Sequence, residues 1–192
     1  IMSKIVIIGA GAAGLLAGIA ATGAGAKVTI LEKMRKPGRK MLITGKGRCN
    51  LTNAADIPEI IKNIPGNGRF LQSALHRFTN DDIVYLLEAN GCPTKVERGN
   101  RVFPVSDKSQ DVVDTLVKIF TQQGGKLILD TTVTEILTKE GKVIGVKTKE
   151  EVYNADAVIL CAGGASYPGT GSDGSGARLA AKLGHKIVDL KP

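Results

Sequence analysis

The strongest constraint on this chain lies in its first 32 residues. Four β-branched residues, Ile5-Val6-Ile7-Ile8, run directly into Gly9-Ala10-Gly11-Ala12-Ala13-Gly14. A continuous run of that kind prefers a strand buried on both faces. Residues 13–24 are small and read as a helix, and residues 27–31 (Lys-Val-Thr-Ile-Leu) as a second buried strand ending at Glu32. Strand, crossover helix and strand make a compact β-α-β unit with parallel strands. Each glycine then has a task. Gly9 permits the tight turn, Gly11 lets the backbone approach a diphosphate with no side chain between, and Gly14 allows close helix–strand packing. The helix N-terminus offers free N–H groups and a partial positive charge to that diphosphate. Glu32 stands eighteen residues after Gly14, where a carboxylate can accept hydrogen bonds from an adenosine ribose. A carboxylate there disfavours a 2′-phosphate, which makes NADP a poor fit and leaves FAD and NAD.

The same stretch imitates a membrane segment. Residues 5–26 carry no charge, and 22 residues would span a bilayer. Lys4 before an apolar run resembles a signal peptide, and Gly14-xxx-Gly18 mimics a membrane-helix dimer face. Six of the 22 are glycine and eight are alanine, and the apolar density sits in the strand-forming run. We therefore read neither a membrane span nor a signal peptide.

Composition narrows the classes further. A chain of 192 residues with 43% apolar and 23% charged residues is an ordinary globular domain. The formal charge of +8 suits anionic partners, but aromatics are only 4% with no Trp, too few for a stacking platform for single-stranded nucleic acid. Cys49, Cys92 and Cys161 are scattered, and His76 and His185 lie far apart. This pattern contains no disulfide framework and no zinc-ligand spacing, and it fits a reducing cytoplasm.

Beyond Glu32, residues 33–55 show no clear period and read as a long ordered loop. Ile57–Phe78 is a weak helical region broken at Pro65-Gly66, and Thr79-Asn80-Asp81-Asp82 offers cap chemistry for a helix ending near Gly91. A helix over about Ser109–Gln123 puts Val112, Val113, Leu116, Val117 and Phe120 on one face. Leu127–Leu129 reads as a short strand, Val133–Leu137 and Val143–Lys147 as a hairpin across Lys139-Glu140-Gly141, and Ala157–Cys161 as another buried strand. A second glycine cluster (163–176) follows, then a helix over about 176–183 and a new strand over Lys186–Leu190.

The loop holds seven basic residues and no acid between Lys33 and Arg48. A solvated basic face, or a nucleic-acid surface, is one reading of such a run. The string Gly45-Lys46-Gly47-Arg48-Cys49-Asn50-Leu51-Thr52-Asn53 favours a ligand loop, since it mixes mobile backbone with short polar side chains. Together with Gly38-Arg39-Lys40, Arg101-Val102-Phe103-Pro104 and Cys161-Ala162-Gly163-Gly164-Ala165-Ser166-Tyr167-Pro168, it resembles the bacterial BaiN-like flavoproteins, described as NAD(P)/FAD-dependent or aminoacetone-oxidase-type oxidoreductases. The resemblance covers essentially the whole chain.

That resemblance implies an FAD site. Gly9, Gly11, Ala12, Ala13 and Gly14 would hold the diphosphate and Glu32 the adenosine ribose, with Lys33, Arg39 and Lys40 lining the dinucleotide. Gly45, Gly47, Arg48, Cys49, Asn50, Leu51, Thr52 and Asn53 would run along the ribityl chain and flavin, Val133 would present its backbone to adenine, and Ala162, Gly163 and Gly164 would close the site. Cys49 beside Arg48 could be a redox-active thiolate, against the plainer reading of a small buried residue; residues 163–176 could instead be a mobile surface loop. The family is roughly twice this length, so residues 1–192 would be one incomplete FAD/NAD(P)-binding domain lacking an inserted domain and a C-terminal return segment. Such a chain would bind FAD weakly or not at all and would not turn over alone.

The expected architecture is an α/β, Rossmann-like FAD-binding domain of the glutathione-reductase type, with a β-hairpin or meander (about 132–155) before the last parallel strand. The expected chemistry is hydride transfer between flavin and a small-molecule substrate or NAD(P)H, without nucleic acid or membrane. The rivals are an NAD-binding Rossmann dehydrogenase and a basic nucleic-acid-binding module. No catalytic residue, substrate or oligomeric state is legible.

Overall fold

The computed structural model describes residues 2–188. In chain order its elements are β1 (Lys4–Ile8), α1 (Ala12–Gly23), β2 (Lys27–Leu31), α2 (Arg39–Ile43), β3 (Thr52–Asn53), α3 (Ile57–Lys62), α4 (Gln72–Arg77), α5 (Asn80–Glu88), β4 (Thr94–Glu97), β5 (Arg101–Pro104), α6 (Ser109–Gln122), β6 (Lys126–Ile128), β7 (Glu135–Lys139), β8 (Lys142–Lys147), β9 (Val152–Asn154), β10 (Ala157–Leu160) and α7 (Ser175–Lys182). They fall into two compact units, residues 1–40 with 116–192, and residues 41–115.

The first unit is built on a four-stranded parallel sheet in the order β10-β1-β2-β6. Val6 lies between Val158 and Thr29, and Ile30 opposite Leu127. The apolar run of β1 alternates between two buried faces. Val6 and Ile8 pack with Leu31, Ile136, Val146 and Ala155, so the antiparallel sheet β7-β8-β9 covers that side. The opposite face meets α1, where Gly18 leaves room for Ile30 and the Phe120 ring; a Cβ at Gly18 would lie 2.9 Å from both. Gly14 and Gly18 thus serve packing inside the protein. Among the described residues no helix is long and apolar enough to cross a membrane.

The expected α/β architecture with its inserted meander is what the chain forms. The β7–β8 turn falls at Glu140 and Gly141, both at positive φ (50° and 75°), which matches the right-handed twist of the strands. On α6 the buried residues include Ile119 in addition to Val112, Val113, Leu116 and Phe120. Lys186–Val188 have no regular structure, and the remainder of the strand expected over Lys186–Leu190 lies outside the described residues.

The second unit holds the antiparallel sheet β3-β5-β4 and helices α3 to α5. Asp56 caps α3 by accepting from the Glu59 N–H at 2.9 Å, and Thr79 with Asp82 forms a reciprocal capping box on α5. The segment 33–55 is more structured than a loop: it contains α2, a tight turn over Thr44–Gly47 in which Gly45 and Lys46 are left-handed, and β3.

Candidate dinucleotide-binding site

The glycine-rich turn after β1 separates what the fold needs from what it does not. Gly9 has φ 103°, donates to the Leu31 carbonyl at 2.8 Å, and a Cβ there would lie 2.5 Å from the Cys161 carbonyl oxygen. A Cβ on Gly14 would collide with the Gly9 carbonyl. Gly11 is different. Its backbone is extended (φ −79°, ψ −172°), open to any residue, and a Cβ there would meet nothing within 4 Å. The chain's own packing therefore gives no reason for glycine at 11, and the space beside it is open. No side chain caps α1, so its leading amides, among them those of Ala12 and Ala13, remain for an outside acceptor. These residues fit a dinucleotide diphosphate.

Glu32 sits at the end of β2, 9% exposed. Its Oε2 accepts from the Ala10 N–H at 2.7 Å and its Oε1 from the Met34 N–H at 2.9 Å. The carboxylate holds the glycine turn in place and keeps lone pairs for a ribose hydroxyl, since two oxygens offer about four acceptor positions. The Glu32 backbone binds the segment after β6, with Glu32 N–H to Ile128 and Thr131 N–H to Glu32 at 2.8 and 2.9 Å. Val133 follows there: its side chain is buried in the core, and among the described residues no backbone carbonyl takes up its N–H.

Ala162, Gly163 and Gly164 continue from β10 beside the same turn; a Cβ on Gly9 would come 3.2 Å from the Ala162 Cα. The glycine cluster they open is tied down at several points. Lys33 Nζ reaches Asp173 Oδ1 at 2.8 Å and Ser175 Oγ at 3.1 Å. Lys40 Nζ reaches Ser166 Oγ at 2.6 Å and lies 5.6 Å from the centre of the Tyr167 ring. Gly174 N–H donates to the Gly164 carbonyl at 3.0 Å. Lys33 and Lys40, expected to line the dinucleotide, are thus engaged with residues 166–175, while Arg39 is exposed and makes none of the ion pairs among the described residues.

Gly45–Asn53 belongs to the second unit. Gly45, Lys46, Gly47 and Cys49 all have positive φ (56°, 59°, 85° and 61°), a tightly wound turn. Three of its polar side chains, those of Arg48, Asn50 and Asn53, find partners within the unit. Arg48 grips Glu97 through two bonds (2.8 and 3.2 Å) and Asp107 at 3.1 Å, and its guanidinium lies 4.1 Å from the centre of the Phe103 ring. Lys95 joins the network, 2.7 Å from Asp107. Asn53 donates to the Gly99 carbonyl at 2.9 Å and accepts from Ala55 N–H at 2.9 Å, and the Asn50 amide, oriented with its nitrogen toward them, donates to the carbonyls of Thr52 and Val102 at 3.2 and 3.3 Å. Leu51 N–H donates to Val102 at 2.9 Å, and Thr52 pairs with Val102 in the sheet.

Of the two readings of Cys49, the geometry favours the small buried residue. Cys49 is buried, and burial pushes its thiol up from the ordinary range, a rise only partly offset by a hydrogen bond with Thr44. The Arg48 charge expected to favour the thiolate is matched by Glu97 and Asp107. The plainer reading, a small buried residue in a tight turn, is the one the geometry supports. The sequence reading gives no role to Glu97, Asp107, Lys95, Asp173 or Ser175; Lys33 meets Asp173 and Arg48 meets Glu97 across 140 and 49 residues of chain. Only Gly99-Asn100, a turn signal between two short β-prone runs, could have disclosed the β4–β5 hairpin.

Comparison with known proteins agrees with this geometry. The chain is 34% identical over 201 residues to a 3-dehydro-bile acid delta(4,6)-reductase of Clostridium scindens, covering 100% of this chain and 46% of that protein. It is 31% identical over 186 residues to a ribosomal RNA dihydrouridine synthase of Escherichia coli, covering 97% and 46%. The chain thus spans about half the length of the curated relatives it matches. Among solved structures, the Mycobacterium smegmatis Sdh1 complex superimposes with a TM-score of 0.72 at 22% identity, covering 95% of this chain and 39% of that one. A flavocytochrome c3 fumarate reductase does so with 0.62 at 22%, covering 95% and 40%. At such identities these likenesses show the fold. FAD is the cofactor these findings support, in preference to the NAD-dehydrogenase rival. Residues 3–191 match the model of the HI0933-like protein Rossmann domain, and the chain belongs to that family.

Proposed function

We propose that this chain is the FAD-binding part of a flavin-dependent oxidoreductase that reduces a carbon–carbon double bond conjugated to a carbonyl. The observation that carries the cofactor reading is Gly11: a glycine that the fold does not require, at an uncapped helix N-terminus, one residue beyond the amide that Glu32 holds. In this reading the amides of Gly11 to Gly14 meet the diphosphate, Glu32 accepts from the ribose, the Val133 backbone meets adenine, and Ala162–Gly164 close the site. When bound, the flavin supplies reversible two-electron chemistry; the chain's residues bind and orient it.

The bond class comes from the relatives. One is named as a delta(4,6)-reductase of a 3-dehydro-bile acid, the other as a dihydrouridine synthase. Both names describe adding two hydrogens across a double bond, one in a steroid ketone and one in a pyrimidine. The carriers of that bond differ, so the bond class transfers and the carrier does not. Titration of the protein with FAD tests the cofactor reading. The binding expected of this chain is weak but should still saturate, and it should be lost in Gly11→Val at unchanged folding; equal affinity of the two overturns the reading.

A further inference from the structure

The carboxyl ends of β1, β2 and β10 are joined by a closed circuit of contacts. Gly9 N–H binds Leu31, and the Ala10 N–H binds Glu32. The next residue, Lys33, extends its amine to Asp173 and Ser175. Asp173 Oδ1 also accepts from the N–H of Ser175, the first residue of α7, at 3.0 Å. Gly174 returns to Gly164, and the chain leads back through Ala162 to the wall beside Gly9. The Lys33 stem lies along Gly171, where a Cβ would be 3.3 Å from its Cε. Arg178 adds a donor to the Asp173 carbonyl at 3.0 Å, with its guanidinium 3.9 Å from the carboxylate.

From this geometry we propose that Asp173, acting through Lys33, is a positioning residue of the dinucleotide site: the pair fixes residues 163–174 as a wall beside the glycine turn, and Lys33 does not itself bind the cofactor. The proposal rests on the FAD reading above. Lys33 is the first residue past the ribose-binding acid, so its free charge would otherwise be an obvious phosphate ligand; with its amine taken by Asp173 and Ser175, the diphosphate is left to backbone amides.

The experiment is a double-mutant cycle on FAD affinity, read by flavin fluorescence, with Lys33→Met, Asp173→Asn and the double variant. Asp173→Asn keeps an oxygen for the Ser175 N–H, and Lys33→Met keeps the stem along Gly171. Both singles should weaken FAD roughly fivefold, the upper range for a partly exposed ion pair, and the double variant should be no weaker than either. Rising salt should weaken the native affinity more than that of Asp173→Asn, so that the two converge. If Lys33→Met weakens FAD while Asp173→Asn equals the native chain, Lys33 touches the cofactor and the proposal falls while the FAD reading stands. If neither single changes the affinity, the proposal falls in the same way. If the native chain shows no saturable FAD binding, both fall.

Discussion

The Glu32 carboxylate accepts a hydrogen bond from the Ala10 amide at 2.7 Å, so the acid that ends β2 is also the residue that fixes the glycine turn after β1. Ala10 is fully buried, and no water could replace that acceptor cheaply. The other oxygen serves the Met34 amide. Glutamine supplies only one acceptor oxygen, so Glu32→Gln leaves one of the two amides unpaired. We expect Glu32→Gln to lower unfolding free energy by about 1–3 kcal/mol, measured by urea denaturation without ligand. Unchanged stability would mean that the acid serves the ligand alone.

Gly11 and Gly14 should respond in opposite ways to the same substitution. In Gly14→Ala the new methyl collides with the Gly9 carbonyl, so helix and strand must separate; a loss of several kcal/mol, on the scale of severe overpacking, is expected. In Gly11→Ala the methyl enters open space on an extended backbone, and stability should change by under about 1 kcal/mol. FAD affinity should nonetheless fall in Gly11→Ala. Thermal melts set beside FAD titrations of the two variants would show the split.

How much of this could be read from the residues depended on the range of the interaction. The β-α-β unit is local: a β-branched run, a small-residue helix and a terminal acid within 32 residues. The meander is local too, announced by Glu140-Gly141 and alternating strands. The Lys33–Asp173 and Arg48–Glu97 pairs join residues 140 and 49 positions apart, and nothing in a single sequence marks such partners. The string at 45–53 carries its ligand-loop signal in flexible backbone and short polar side chains, but the partners that Arg48, Asn50 and Asn53 find within their own unit are not marked in it. Helix α2 is not legible in the sequence, because five residues are too few to display a period.

The three cysteines should be slow thiols. Burial pushes each of Cys49, Cys92 and Cys161 up from the ordinary thiol range, so little thiolate is present at neutral pH. A disulfide reagent such as DTNB should modify the native protein much more slowly than free cysteine, and should titrate three thiols after denaturation. Rapid modification of Cys49 in the native state would restore the redox-thiol reading that burial argues against.

Tyr153 offers a test of the meander at high pH. Its hydroxyl donates to Glu151 Oε1 at 2.7 Å, and that bond to an anion, with some desolvation, pushes the phenol up to about 12. The sign follows from linkage. A group whose folded value exceeds its unfolded one contributes stability in full below the unfolded value, near 10, and loses it as pH rises through about 12. Tyrosinate absorbance should therefore show a late step near pH 12 that is absent in Tyr153→Phe, and Glu151→Gln should move that step down toward the ordinary range. The same late step in Tyr153→Phe would assign it to another tyrosine and remove the Glu151 bond from the account.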